Sequence, residues 1–195
     1  MRELRCMAMT EITATPVMTG LTWQEFLDLP DEYRHADLID GELFVSAPAF
    51  RHQYIVTRLL TALVNWTDAG SGRGIASIEP AVQISHNRGY MPDIAWWSHD
   101  KCAATGEPPD VEGVPDVVVE VLSPSTRGID SVRKRNDYPK VGVSEVWFVD
   151  PGEPSVHIVR AGADGEVTID LTADQLVTSP LLPGFSIGVG DLLSR

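Results

Sequence analysis

Pro115-Asp-Val-Val-Val-Glu-Val-Leu-Ser-Pro-Ser-Thr126 is the stretch from which the fold is read. Its almost uninterrupted valines suit a central strand covered on both sides, because β-branched side chains pack well on a pleated surface and neither face meets water. Ser123-Pro124 then breaks the strand. With a period of two, Asp116, Val118, Glu120 and Leu122 share one face, and Val117, Val119 and Val121 the other. Glu120 is out of place in such a strand, since a buried ionised carboxylate is costly unless a cation or a hydrogen-bond donor compensates it. Two explanations fit: a structural ion pair, with Arg127 or Arg133 as the partner, or a functional carboxylate.

Downstream, Ile129–Tyr138 reads as a short charged helix ending near Pro139, and Glu145–Asp150 as another strand, so the helix is a crossover. Val156–Arg160 and Val167–Asp170 form a hairpin across Ala163-Asp-Gly165, followed by an apolar tail with a Pro183-Gly184 turn. Upstream, Met91–Ser98 is a strand with two unlike faces, Ile94 and Trp96 against Asp93, Ala95 and Trp97. A turn around Asn87-Arg88-Gly89 should join it, antiparallel, to a strand over Ile75–Ile84, while Lys101–Gly113 reads as a polar loop. The strongest helix spans His52 to Trp66, where Ile55, Leu59, Leu63 and Trp66, with Val56, Leu60 and Val64 beside them, make a wide apolar stripe. Before it come a short helix over Thr22–Leu29, capped by Thr22 with Glu25 and stopped by Pro30, and a hairpin over Ala36–Val45 turning at Asp40-Gly41. The sum is an α/β fold: a mixed sheet flanked by helices, with an N-terminal helix and β-hairpin.

The 195 residues, 43% apolar and 22% charged, suit one domain over residues 21–195, preceded by a flexible extension over residues 1–20 that has no clear period. No apolar run approaches a membrane span and no secretory signal stands at the start, so no membrane partner is expected and the expected location is cytoplasmic. Cys6 and Cys102 form no redox or metal pattern, His86 and His99 lack zinc spacing, and Gly70-Ser-Gly-Arg-Gly74 lacks the Lys-Ser/Thr ending of a phosphate loop. Trp96-Trp97 suits one ring in the core and one on a partner surface. A net charge of −13 excludes sequence-blind coating of nucleic acid. The stretch from Arg127 to Lys140 runs against that trend, with five bases and two acids, and offers a small basic footprint.

Asp93, Glu120 and Lys134 come from three different segments, and Lys134 is within reach in principle because the helix after the valine strand packs back onto the sheet. Carboxylates on neighbouring strands repel, and a divalent cation relieves the repulsion by taking oxygen ligands from both. Magnesium needs few protein ligands and keeps waters, one of which can become a nucleophile, while a lysine beside it offsets charge on a phosphoryl oxygen. Asp130, Lys134 and Tyr138, spaced by four, line one helix face.

Six segments resemble, in order, the signature of the Uma-type restriction endonucleases: His35-Ala-Asp-Leu-Ile-Asp-Gly-Glu-Leu43, Met91-Pro-Asp-Ile-Ala95, the Pro115–Thr126 stretch, Asp130-xxx-Lys134-xxx-Tyr138, Gly142-Val-Ser-Glu-Val-Trp-Phe-Val-Asp-Pro151 and Leu181-Leu-Pro-Gly-Phe185. The resemblance runs from about Leu21 to the C-terminus. It implies the PD-(D/E)xK nuclease superfamily with its restriction-endonuclease-like core, a DNA substrate and magnesium (or manganese) as cofactor; a homodimer is expected because two-fold symmetry would present two active sites to the two strands. By the same resemblance Asp93, Glu120 and the backbone carbonyl of Val121 hold the metal, and Asp93, Glu120 and Lys134 are catalytic. Leu122 stands where the superfamily's usual lysine would be, and Lys134 takes its place. Asp37, where the family usually has Glu, Glu42 and His52 are implied as accessory residues. The alternative is a nuclease-fold binding or regulatory protein without turnover, which Leu122, Asp37 and the acidic surface also suit.

Overall fold

A computed structural model of the chain describes residues 15–33, 35–45, 49–105, 113–123, 129–162 and 165–194. Helix α1 (Trp23–Leu27) starts with a capping box in which Thr22 Oγ1 accepts the Glu25 backbone N–H and the Glu25 carboxylate accepts that of Thr22. Strands β1 (Ala36–Ile39) and β2 (Glu42–Val45) form the expected hairpin. Its two turn residues, Asp40 (φ 53°) and Gly41 (φ 81°), adopt the left-handed backbone that a two-residue loop requires. Helix α2 (Phe50–Asp68) buries Ile55, Val56, Leu59, Leu63 and Trp66. There follow β3 (Ile75–Ile78), β4 (Val82–Ser85), β5 (Arg88–Tyr90), β6 (Ile94–Trp97), α3 (His99–Thr105) and β7 (Val117–Val121). Helix α4 (Ile129–Asp137) continues into a 3-10 turn at Tyr138–Val141, and β8 (Glu145–Asp150), β9 (Ser155–Gly162), β10 (Gly165–Thr172), β11 (Leu176–Val177), β12 (Ile187–Gly188) and α5 (Val189–Leu193) complete the order.

The main sheet has the order β10-β9-β8-β7-β6-β3, with β7 and β8 parallel across the α4 crossover and the other pairs antiparallel. The sheet is therefore mixed, and the valine strand lies inside it with all five residues buried. The period-two assignment holds. Val117, Val119 and Val121 pack with α2, α5 and Phe185, while Val118 packs on the opposite face with Ile39, Val82, Tyr138 and Val146. A second sheet, β2-β1-β5-β4, covers that opposite face. At its back, Gly89 lies so close to the Trp23 ring that a Cβ there would sit 1.9 Å from Cζ3.

Two secondary-structure expectations need correcting. The 75–84 segment is two strands, because Pro80 cannot donate to a ladder and Glu79, with φ 47°, turns the chain out of the sheet. Ile75–Ile78 pairs antiparallel with β6 as expected, whereas β4 joins β5 in the second sheet. The 101–113 segment opens as helix α3 rather than loop, Ser98 Oγ accepting the Lys101 N–H at its start. Ahead of α1, Val17 N–H donates to Leu43 O and Met18 bridges the same residue. Trp96 and Trp97 are both buried within the chain, their indole N–H groups donating to Arg73 O and Gly113 O. Among the described residues no helix is long and apolar enough to cross a membrane.

The second sheet is fastened to α4 by a polar network on Asp137. This buried carboxylate accepts from Arg88 Nη1 (2.9 Å) and the Tyr90 hydroxyl (2.7 Å) at Oδ2, and from Lys140 Nζ (2.9 Å) at Oδ1. Burial alone would raise its pKa, but these donors outweigh it and hold the carboxyl below its ordinary value. Burial and the Asp137 charge push the Tyr90 phenol up, so it remains a donor. A carboxyl depressed on folding adds stability above its unfolded pKa and loses it as pH falls through the folded one. Asp137→Asn should therefore cost about 2 kcal/mol at neutral pH, and urea melts should show the gap to the parent closing below about pH 4.

Candidate active site

Asp93 directly precedes β6, and Glu120 lies within β7. The pairing of Ile94 with Val119, carried one residue further, sets Asp93 across from Glu120 on the face covered by the second sheet. Glu120 is 7% exposed and is held at both oxygens, by the Tyr138 hydroxyl at Oε1 (2.6 Å) and by Lys134 Nζ at Oε2 (3.0 Å). Lys134 is also buried, and its ammonium bridges to Asp37 Oδ2 at 2.9 Å while standing 5.3 Å from the centre of the Tyr90 ring. Asp37 is oriented in turn by the Met91 N–H, which donates to Oδ1 at 3.0 Å.

A second group adjoins the first along β7. Asp93 Oδ2 accepts the Val121 N–H at 2.6 Å and lies 3.3 Å from His52 Nε2, so the first turn of α2 reaches round to the strand end. Burial would lower the His52 pKa, yet the hydrogen bond and charge of Asp93, the Val121 backbone and the charge of Glu79 together hold it above the usual histidine range. His52 Nδ1 is buried without a hydrogen-bond partner.

Asp37, Glu120 and Lys134 thus form one ion-paired cluster, with Asp93, His52 and Val121 beside it. Glu42 is not drawn in. It shares Asp37's face of the hairpin but sits at the turn, opposite Ile39, and is exposed. Of the two arginines weighed as partners of Glu120, Arg127 lies outside the described residues, and Arg133 makes no ion pair with it. The Asp130 side chain also lies outside the described part. Sequence reasoning placed Tyr138 on the Lys134 face but missed that its hydroxyl anchors Glu120, although the four-residue spacing is the signal for it. Glu79 was missed altogether. It pairs with His35 at 2.7 Å, and its N–H reaches Asp93 O, a position that follows only from the break between β3 and β4.

Among the described residues no group of three His, Cys, Asp or Glu side chains is gathered for a metal. The donors available are two carboxylates on facing strand positions and the adjacent Val121 carbonyl. This all-oxygen set suits a small hard cation that keeps most of its waters, such as magnesium. Among the described residues, the three carboxylates Asp37, Asp93 and Glu120 outnumber the Lys134 ammonium and the His52 imidazole, which leaves negative charge for such a cation to offset. The donor set therefore fits.

The basic footprint over 127–140 is largely consumed internally. Lys134 is buried in the cluster, Lys140 pairs with Asp137, and Arg135 pairs with Glu166. Among the described lysines and arginines, those without a carboxylate partner are Arg51, Arg58, Arg73 and Arg133.

The mixed sheet with its α4 crossover and covering second sheet defines an α/β protein with an ion-paired carboxylate cluster on one face of β7. The Uma2 family model, described as "Putative restriction endonuclease", matches residues 23–190, and the chain belongs to that family. In three dimensions it is similar to a crystal structure titled as a putative nuclease belonging to DUF820 from Anabaena variabilis ATCC 29413, with a TM-score of 0.73 and 21% sequence identity over 90% of this chain and 98% of that one. That likeness shows a shared fold. No curated protein is detectably similar in sequence.

Proposed function

We propose that the protein is a metal-dependent endonuclease that hydrolyses phosphodiester bonds in DNA, with magnesium, or manganese in its stead, held by Asp93, Glu120 and the Val121 carbonyl. The observation that carries this reading is Asp93 facing Glu120 across adjacent strands, with Lys134 buried against Glu120. When bound, the cation would polarise the phosphoryl group and make a coordinated water more acidic. Lys134, locked between Asp37 and Glu120, presents a fixed positive charge beside Glu120, where charge on a phosphoryl oxygen would build up in the transition state. Tyr138 holds the Glu120 carboxylate in one orientation, and the Val121 N–H does the same for Asp93. His52 Nε2, 3.3 Å from Asp93 Oδ2, is an accessory contact that helps fix the Asp93 carboxylate. A homodimer would present two such sites to the two strands of a duplex.

Magnesium at millimolar concentration should raise the melting temperature by roughly a few degrees through binding to the folded state alone, and Asp93→Asn should abolish the rise. Differential scanning fluorimetry with and without EDTA reads this, and plasmid cleavage under the same conditions reads turnover. A shift without cleavage of any DNA or RNA would favour the nuclease-fold binding protein instead. No shift at any magnesium or manganese concentration would remove the metal from the proposal.

A further inference from the structure

The outer face of α2 carries a feature that the cluster at Asp93 and Glu120 does not use. Phe50 is 85% exposed and Tyr54 40%, and their rings stack with centres 6.4 Å apart and planes 19° from parallel. Arg58 continues the stripe one turn on, its guanidinium 5.6 Å from the centre of the Tyr54 ring and bonded to Ser194 O. The four-residue spacing puts all three on the side of the helix away from Ile55, Leu59 and Leu63. Exposing a pair of aromatic rings to water is unfavourable unless they have a use.

Charge indicates that use. In a chain of net charge −13, residues 50–67 contain no acid, and they hold Arg51 and Arg58, two of the described cations that no carboxylate neutralises. A self-complementary contact between two copies would set these arginines near one another, which disfavours a second copy as the occupant. A polyanion with accessible ring faces is the complementary partner. In a duplex the base faces are covered by stacking, whereas unpaired bases offer them to aromatic side chains. His52, in the same first turn, touches Asp93 from the opposite side of the helix, so the stripe and the proposed scissile site share only the N-terminal end of α2.

We infer that Phe50, Tyr54 and Arg58 form a stacking platform for unpaired bases, and that the substrate is nucleic acid with a single-stranded segment that runs from the bond cleaved round the N-terminal end of α2. This rests on the nuclease reading above and narrows its substrate. The test is fluorescence anisotropy of the full chain in EDTA and low salt, with labelled oligothymidylate and with its duplex with oligodeoxyadenylate. The single strand should bind at least about tenfold tighter than the duplex, and Phe50→Ala with Tyr54→Ala should remove about tenfold or more of that affinity while leaving the duplex value unchanged. Phe50→Tyr with Tyr54→Phe should retain it. Equal affinity for the two oligonucleotides, or an alanine pair that binds like the parent, overturns the inference. So does light scattering in which the alanine pair turns a dimer into a monomer. Magnesium-dependent plasmid cleavage by the alanine pair at the parent's rate would overturn the platform and leave the nuclease standing, whereas absence of Glu120-dependent cleavage on every substrate would remove the nuclease itself.

Discussion

Glu120→Gln is expected to lower magnesium-dependent phosphodiester hydrolysis on the order of 10³-fold while moving the melting temperature by only a few degrees. The two effects separate because of what surrounds the side chain. Glutamine keeps the volume, and its carbonyl oxygen can still accept one of the two donors, the Tyr138 hydroxyl or Lys134 Nζ. Lys134 does not become an unpaired buried cation, because Asp37 remains 2.9 Å away. Removal of one charge from a cluster with an excess of negative charge also relieves repulsion, which offsets part of the lost hydrogen bonding. Activity has no such compensation, since the neutral amide is a poor ligand for a hard cation and leaves Asp93 as the only one of the two facing carboxylates to attract it. Single-turnover cleavage of a labelled substrate, alongside thermal melts, measures both. A glutamine variant that cuts at the parent's rate would disprove the assignment of Glu120.

Lys134→Met should behave in the opposite way, costing about 3–5 kcal/mol of stability, a fall of roughly 10 °C in melting temperature, besides its activity. Methionine is close in volume, so the loss is electrostatic. Asp37 and Glu120 would face each other in a buried site without the ammonium that both now contact. Adding Glu120→Gln to Lys134→Met should restore part of the stability by removing one of the opposed carboxylates, a coupling that a double-mutant cycle measures directly. A Lys134→Met chain that melts with the parent would show that the lysine is not the keystone of the cluster.

These contrasting outcomes depend on contacts between residues far apart in the chain, which marks how far the sequence reading reaches. The valine run announced a strand buried on both faces, the α2 stripe a long helix, and Asp40-Gly41 a two-residue turn, because periodicity and turn chemistry act over a few neighbouring residues. The odd carboxylate in the valine run marked Glu120, and the six ordered segments marked the family. The break at Glu79-Pro80 was less legible, because a continuous β pattern runs across it and the division becomes visible only when β4 pairs with β5 in another sheet.

What the sequence determined by itself was the valine strand, the long helix and the first hairpin, the face of β7 that each side chain occupies, and the placing of an acid where an apolar residue belongs. Only the tertiary structure decided which groups answer that acid. Lys134 and Tyr138 arrive from the far side of the crossover, and Asp37 from a hairpin in the second sheet. It also decided that Lys134, Arg135 and Lys140 are spent on ion pairs while Arg51, Arg58, Arg73 and Arg133 stay without a carboxylate among the described residues. Charge counted along the chain gives the number of cations, but burial and long-range pairing determine which of them remain available to a partner.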